Sequence, residues 1–145
     1  MKSIIIYNTR SGNTELLGTK MKEILEKYGH ECDLYRDKNI KTQILTQNDF
    51  LSPYNLLCIG SCVHGNAPAF FPFRKIMKKI ATLDLTNKKM IVFATSGGPK
   101  GWIKTCGIIR KKLPNINPIA NIGCEKKENK EALKNFDNII KNLKT

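Results

Sequence analysis

The feature that most constrains the fold is the alternation of short apolar runs with longer amphipathic segments. Three runs, at residues 4–7, 56–59 and 90–94, contain only apolar side chains. Runs this short suit strands that are covered on both faces, as in the interior of a parallel sheet. We therefore predict three central strands at these positions.

Two further segments, at residues 31–35 and 115–122, alternate apolar and polar side chains. Alternation is typical of a strand with one covered face. The second segment also contains Pro118, and proline cannot donate a hydrogen bond to a central ladder. Both segments are therefore predicted to be edge strands.

Helical spacing of apolar residues occurs between these strands. It is clear at residues 17–28, 73–80, 102–113 and 133–143. Residues 41–51 have the weakest pattern and predict one short helix. Along the chain, each predicted strand is therefore followed by a predicted helix.

This order predicts an α/β fold, with residues 1–145 forming a single three-layer domain around a five-stranded parallel sheet in the order 2-1-3-4-5. That order places the first, third and fourth strands in the centre and the other two at the edges. Such sheets bind ligands beyond the carboxyl ends of their strands, near the switch point between strands one and three. The loops after Tyr7, Ile59 and Ala94 are thus the candidate site.

The composition fits a folded domain, with 41% hydrophobic and 26% charged residues. No stretch approaches the roughly 20 apolar residues of a membrane span, and the first residues lack the length and cleavage site of a signal peptide. We therefore expect a cytoplasmic protein without a membrane span. The five cysteines are then expected to be reduced thiols, several of them in the core. The spacing of His30, Cys32, Cys62 and His64 matches no zinc finger or ribbon, so metal binding is not expected.

Charge is distributed unevenly along the chain, whose formal net charge is +13. Residues 1–73 contain 8 basic and 7 acidic side chains, whereas residues 74–145 contain 17 and 5. A basic field attracts acidic proteins or nucleic acid. Nucleic acid is the less expected partner, because the sequence has no aromatic stripe interleaved with Lys and Arg and no RRM, KH or helix-turn-helix motif.

The first candidate loop offers hydrogen-bond donors to an anion. Residues 8–14 read Asn-Thr-Arg-Ser-Gly-Asn-Thr and lead into a predicted helix, whose first N–H groups have no intrahelical partner. Gly12 permits a close backbone approach or a conformation that a side chain would forbid. Because the loop lacks a Gly-Lys-Ser/Thr ending, it is not a nucleoside triphosphate loop. The alternative is an ordinary polar turn with a Ser or Asn cap.

The same loop resembles the phosphate-binding loop of flavodoxins, which reads Thr/Ser-x-Thr/Ser-Gly-Asn-Thr after an apolar strand. The matching residues here are Thr9, Ser11, Gly12, Asn13 and Thr14. The resemblance implies a flavodoxin-like fold with FMN as the cofactor. It also implies that these side chains and the amides around Gly12 bind the FMN phosphate, while Arg10 at the variable position adds charge or points to water.

The second loop extends the resemblance, since residues 60–66 are similar in length and glycines to the flavodoxin loop Gly-x-x-x-(Trp or Met)-Gly-Asp. The flavin contacts implied are Ser61, Cys62, Val63, His64, Gly65 and Asn66. By the resemblance, the peptide after Gly65 flips so that its carbonyl accepts a hydrogen bond from flavin N5–H. His64 replaces the large residue that packs on the inner flavin face, so it either stacks there and makes the potential pH-sensitive or is a plain loop histidine.

The third loop begins with Thr95, Ser96, Gly97 and Gly98, and its glycines leave N–H groups free to reach the O2 and N3 edge of the flavin. The run Trp102-x-x-x-Cys106-Gly107 that follows is similar to the Tyr-x-x-x-Cys-Gly of some flavodoxins, in which the tyrosine stacks on the outer flavin face. The resemblance implies that Trp102 stacks there, with Cys106 as a further site residue. A core tryptophan on the helical stripe is the alternative.

Over the whole chain, the resemblance implies a small electron-transfer protein that shuttles electrons between redox partners as a monomer or weak dimer. The basic charge departs from the acidic character typical of flavodoxins, and it favours an acidic partner such as a ferredoxin. The alternative is an FMN-dependent reductase or oxidase of quinones or porphyrinogens on the same fold. Hydrolytic chemistry is not expected, because the sequence offers no Ser/His/Asp or Cys/His set.

Overall fold

The computed structural model describes residues 1–64, 67–68 and 73–143, excepting the side chains of residues 64, 67 and 68. Within these ranges the elements are β1 (Lys2–Tyr7), α1 (Asn13–Lys27), β2 (Glu31–Arg36), α2 (Asp37–Thr46), β3 (Leu56–His64), β4 (Ala67–Pro68), α3 (Phe73–Ile80), β5 (Lys89–Ser96), α4 (Gly101–Lys112), β6 (Asn117–Glu125) and α5 (Lys130–Asn142).

The five long strands form a parallel sheet in the order β2-β1-β3-β5-β6, and the two-residue β4 pairs antiparallel with the end of β3. Counted over the long strands, this is the predicted order 2-1-3-4-5, and the predicted α/β fold class is confirmed.

The predicted central strands are central because both of their faces are covered. Ile4, Ile5 and Ile6 of β1 are fully buried, and β5 is buried from Met90 to its end. Since successive strand residues point to opposite faces, an unbroken buried run requires a helical layer on each side. β6 instead begins with two exposed residues, one of them Pro118. The prediction of two edge strands, β2 and β6, is confirmed.

Two helical layers cover the sheet, and each packs on its own apolar cluster. On one face α2, α3 and α4 contribute side chains such as Ile44, Phe73 and Ile109. On the other face α1 and α5 contribute Leu17 and Phe136. The four clear helical stripes correspond to α1, α3, α4 and α5, as predicted.

Two other sequence predictions concern the helices and the thiols. None of the helices in residues 1–64 and 73–143 is both long and apolar enough to cross a membrane. The five cysteines are free and buried, which confirms them as core thiols.

The weakest predicted helix lies earlier in the chain than expected. α2 spans Asp37–Thr46 rather than residues 41–51. Ile40 and Ile44 reach the core from this helix, whereas Leu51 reaches the same cluster from the turns that follow. The apolar spacing alone did not show that Leu51 is buried from a turn rather than from the helix.

β3 continues beyond its predicted end at Ile59 and runs to His64. Ser61 and Cys62 pair with β5 in the parallel ladder, and the last two residues of the strand pair with β4. The second candidate loop therefore starts inside the sheet, and Ser61, Cys62 and Val63 are strand residues rather than loop residues.

Gly60 makes room for an aromatic ring in the central sheet. A Cβ atom built on Gly60 would lie 2.2 Å from Cζ of Phe93, a fully buried ring on the neighbouring strand. This separation is far shorter than van der Waals contact, so only glycine admits the ring in this position.

We expect Gly60→Ala to lower the free energy of unfolding by about 1–3 kcal/mol, the usual cost of overpacking a core. Urea denaturation measures the change. Gly107→Ala is the control, because nothing outside its own helix lies within 4 Å of the added Cβ and alanine favours a helix interior by about 0.5–1 kcal/mol. Adding Phe93→Leu to Gly60→Ala should restore part of the loss. An unchanged urea midpoint for Gly60→Ala would contradict the close packing.

Candidate functional site

The carboxyl ends of β1, β3 and β5 meet at one edge of the sheet, where helices α1 and α4 also begin. Tyr7 at the end of β1 pairs with Gly60 of β3, which pairs in turn with Phe93 of β5. The three candidate loops thus leave the sheet side by side. A ligand bound at this edge can contact all of them.

Gly12 shapes the first loop. Its φ of +91° lies in the left-handed region that favours glycine, and it is the N-cap residue of α1. The Gly12 N–H donates to Oγ1 of Thr9 over 3.0 Å, which closes the loop on itself. Among the described residues no side chain caps α1, so the N–H groups of its first turn remain available to an anion.

Two arginines add positive charge beside this loop. Arg36, at the N-cap of α2, donates from Nη2 to the carbonyl oxygen of Thr9 over 3.2 Å. Arg10 lies within the loop, and its side chain is exposed. Together with the positive end of the α1 dipole, these guanidinium groups make the first loop attractive to an anion.

Asn8 joins the first loop to the end of β3, a role that the sequence analysis missed. It is only 2% exposed. Its Oδ1 accepts hydrogen bonds from the Ser61 hydroxyl at 3.0 Å, and from the Cys62 N–H and the Cys62 thiol at 3.2 Å each. The available sequence signal was a polar residue directly after a buried strand. Asn8 therefore fixes two of the predicted site residues relative to the first loop.

A second buried contact joins the first loop to the third. Oγ1 of Thr14, in the first turn of α1, lies 2.7 Å from Oγ1 of Thr95 on β5, and both residues are buried. The two hydroxyls satisfy one another where water has little access. The first and third loops are thereby held at a fixed separation.

The third loop is open to solvent beyond Ser96. The Ser96 hydroxyl donates to the carbonyl oxygen of Gly98 over 2.8 Å, and the Ser96 carbonyl accepts from the N–H of Lys126 over 2.7 Å. Gly97 and Gly98 themselves are exposed. Lys100, with a φ of +60°, then serves as the N-cap of α4, so an exposed ammonium group stands at the start of that helix.

Part of the second loop lies outside the described residues. Gly65 and Asn66 are not described, nor is the side chain of His64. The expected peptide flip and the expected stacking of His64 therefore stay predictions. In the described part, Ser61 is fully buried and Cys62 is nearly so.

Trp102 lies over strand β6. A Cβ atom built on Gly123 would lie 2.2 Å from Cε3 of Trp102, so the indole packs directly on that glycine. Trp102 also contacts the core cluster beneath α4. These contacts favour the core alternative over stacking above the third loop.

Cys106 is fully buried beneath α4. Its thiol lies 3.8 Å from the carbonyl oxygen of Val92 and 3.7 Å from that of Ile122, between strands β5 and β6. The structure therefore places Cys106 in the core, apart from the residues that meet at the edge.

The Cys62 thiol and the Tyr7 hydroxyl at this edge stay neutral near pH 7. Burial raises the pKa of the Cys62 thiol, and hydrogen bonds and Arg10 oppose that rise. Burial and a 2.9 Å hydrogen bond to Glu15 raise the pKa of Tyr7 to about 12. Within the described residues no three His, Cys, Asp or Glu side chains are grouped to hold a metal ion. The described part of the site is thus equipped to bind a ligand and contains no activated thiolate.

No protein-family model and no curated protein sequence matches the chain. Solved structures do match it over nearly its full length. Flavodoxin 2 from Bacillus cereus is similar with a TM-score of 0.77 and 21% identity, covering 97% of this chain and 95% of that one. A short-chain flavodoxin associated with a non-canonical PDU bacterial microcompartment has a TM-score of 0.81 and 10% identity, with 97% and 95% covered.

The rubredoxin oxygen:oxidoreductase of Desulfovibrio gigas also matches, with a TM-score of 0.79 and 18% identity. It covers 97% of this chain, which spans only 34% of the length of that larger protein. These likenesses establish that the chain has the short-chain flavodoxin fold.

Thr14→Val and Thr95→Val test the buried contact between the loops. We expect each to lower the free energy of unfolding by about 1–3 kcal/mol, because each leaves a buried hydroxyl without a partner. The double variant should lose less than the sum, since both hydroxyls are removed together. Urea denaturation of the four proteins gives the coupling energy, with exposed Thr42→Val as the control. Strictly additive losses would show that the two hydroxyls do not interact.

Proposed function

We propose that this chain binds FMN at the carboxyl edge of its sheet and acts as a small electron-transfer protein between redox partners. One observation carries the proposal. Three loops leave the sheet at its switch point, and two buried polar contacts join the first loop to the ends of β3 and β5, one made by Asn8 and the other by Thr14 with Thr95. Contacts that fix the starting points of these loops suit a cofactor that spans all three.

The first loop fits the phosphate of FMN. Its donors are the N–H groups at the start of α1, the hydroxyl of Ser11 and the side chain of Asn13, and Gly12 keeps the anion's approach free of a side chain. Thr9 and Thr14 support this loop from within through their own hydrogen bonds. Arg10 and Arg36 balance part of the phosphate charge.

The flavin ring system would lie against the second and third loops. Ser61, Cys62 and Val63, with residues 64–66, would contact one side of it, and Thr95, Ser96 and the amides of Gly97 and Gly98 would contact its polar edge. FMN supplies the redox chemistry when it is bound. The chain's own residues bind it, orient it and set the charge around it. The basic charge of the chain favours an acidic redox partner.

A reductase or oxidase of quinones or porphyrinogens is the second candidate, and one observation favours it. Trp102 packs on Gly123 of β6 and against the core cluster beneath α4, and we infer that these contacts keep the indole from stacking on the flavin. A flavin whose outer side lacks a stacked indole leaves room for a planar substrate. Steady-state turnover with such a substrate separates this candidate from a carrier.

The first test is an anaerobic titration of the protein reconstituted with FMN and reduced stepwise, followed by visible absorption. We expect tight binding, because the free N–H groups at the start of α1 meet the phosphate, and two separable one-electron steps, as the resemblance to flavodoxins implies. A single two-electron step would contradict the electron-carrier proposal and favour the reductase or oxidase instead. Absence of FMN binding would overturn both candidates.

The second test replaces Gly12, whose φ is +91°. We expect Gly12→Val to weaken FMN binding by about five- to thirtyfold, because a branched side chain forces the loop out of its left-handed conformation at a cost of about 1–2 kcal/mol. Gly29→Val is the matched control, since Gly29 has a φ of +79° at the opposite end of α1. Equal FMN affinity in the two variants would remove the first loop from the proposed site.

A further inference from the structure

The two helical layers differ sharply in charge. α3 carries Arg74, Lys75, Lys78 and Lys79, α4 carries Lys104, Arg110, Lys111 and Lys112, and neither helix contains an acidic residue. In the opposite layer, α1 and α5 carry six basic and five acidic residues. The sequence shows only that the second half of the chain is basic, whereas the fold gathers eight of these charges onto one layer.

The salt bridges found among the described residues lie on the layer formed by α1 and α5. They are the pairs Lys20–Glu23, Lys22–Glu26 and Lys27–Asp137. α3 and α4 are neighbours on the other face, where Nδ2 of Asn115 donates to the carbonyl oxygens of Ile80 and Leu83. Their outer surface, called the basic face below, carries the eight basic residues of these two helices and no acidic residue from either helix.

Local helix stability does not explain the whole basic face. The dipole of a helix favours acidic side chains in its first turn and basic ones in its last turn. The first turns of α1, α2 and α5 follow this rule with Glu15, Asp37 and Glu131. The first turns of α3 and α4 contain no acidic residue, and each contains exposed basic ones instead. These cations raise an already positive potential at the edge of the sheet that holds the candidate site.

We propose that the basic face is the docking surface of an acidic protein partner, with its centre at the first turns of α3 and α4. Ile103 is 46% exposed in the first turn of α4, one of two large apolar side chains that stand out in the described residues. Lys104 follows it, and Lys100 lies one turn before it. An apolar residue surrounded by charge matches the centre and rim of a protein–protein interface.

The same surface is poorly suited to nucleic acid. Single strands bind through exposed aromatic side chains, but Phe73 of α3 is buried and Trp102 of α4 packs on Gly123. Both helices pack on the same core cluster, and in the described residues neither belongs to a helix-turn-helix of the kind that enters a groove of duplex DNA. An acidic protein needs only complementary charge around an apolar contact.

The basic face adjoins the candidate site because α3 and α4 both begin at the carboxyl edge of the sheet. A partner docked on their first turns would stand beside the loops that are proposed to hold FMN. Its role as an electron donor or acceptor rests on the proposed function, whereas the docking itself does not.

Two variants test the docking surface, each with three charges removed. The face variant combines Arg74→Gln, Lys75→Gln and Lys104→Gln. The control variant combines Lys20→Gln, Lys134→Gln and Lys141→Gln, which are exposed residues of the opposite layer. The probe is a strongly acidic ferredoxin, and calorimetry at low ionic strength gives its affinity for each protein. Circular dichroism and the urea midpoint establish that each variant is folded.

We expect the face variant to bind the ferredoxin at least about tenfold more weakly than the parent chain, and the control variant less than about twofold more weakly. Ile103→Ser should weaken binding with no change in the salt dependence. Equal losses in the two charge variants would overturn the proposal, because they would reflect net charge alone. Tighter binding of a DNA duplex or of phosphatidylserine vesicles through the same three residues would also overturn it.

The result is separable from that of the FMN titration. If the protein fails to bind FMN while the face variant still loses affinity for the ferredoxin, the docking surface is supported and the proposed function is overturned. If FMN binds and the ferredoxin does not, the proposed function stands and the docking surface falls.

Discussion

The candidate site depends on the burial of β1, β3 and β5 on both of their faces. Side chains such as Ile5 and Ile6 alternate between two apolar clusters, so each central strand needs a helix on either side. Parallel strands joined in this way all end at the same edge of the sheet. The three loops and the starts of α1 and α4 are neighbours for that reason. A change that separated the central strands would disperse the site before it altered any ligand-binding residue.

Buried polar residues are concentrated at this edge. Asn8, Thr14, Ser61 and Thr95 are each no more than 4% exposed, in a sheet that is otherwise apolar at its centre. Burying a polar group is unfavourable unless it finds a partner, and these groups find one another across loops that are far apart in the sequence. The network fixes the first loop relative to the ends of β3 and β5 before any ligand arrives. Such preorganisation lowers the entropy that a bound cofactor has to lose.

The two helical layers carry different charges although the core clusters beneath them are alike. α1 and α5 balance their charges locally, with pairs such as Lys27–Asp137 at 2.9 Å. α3 and α4 bury apolar side chains as fully, yet they carry charge of one sign outward. Since both layers bury apolar side chains against the sheet, the stability of the fold does not determine which charges their outer surfaces carry. Charge is thereby available for binding without any change in the fold.

The sequence by itself determined the five long strands, four of the five helices and the order of the elements, because apolar runs and helical spacing are local patterns that report burial directly. It also located the first loop, where Gly12 adopts the left-handed conformation that its residue type allows. Only the tertiary structure assigned Asn8 its partners, set Trp102 on Gly123 and gathered the basic residues of α3 and α4 onto one face. These features join residues far apart in the chain, and strand register and layer assignment decide them. The apolar periodicity of a sequence predicts where helices and strands form. It does not predict how neighbouring strands align or which helices share a face of the sheet.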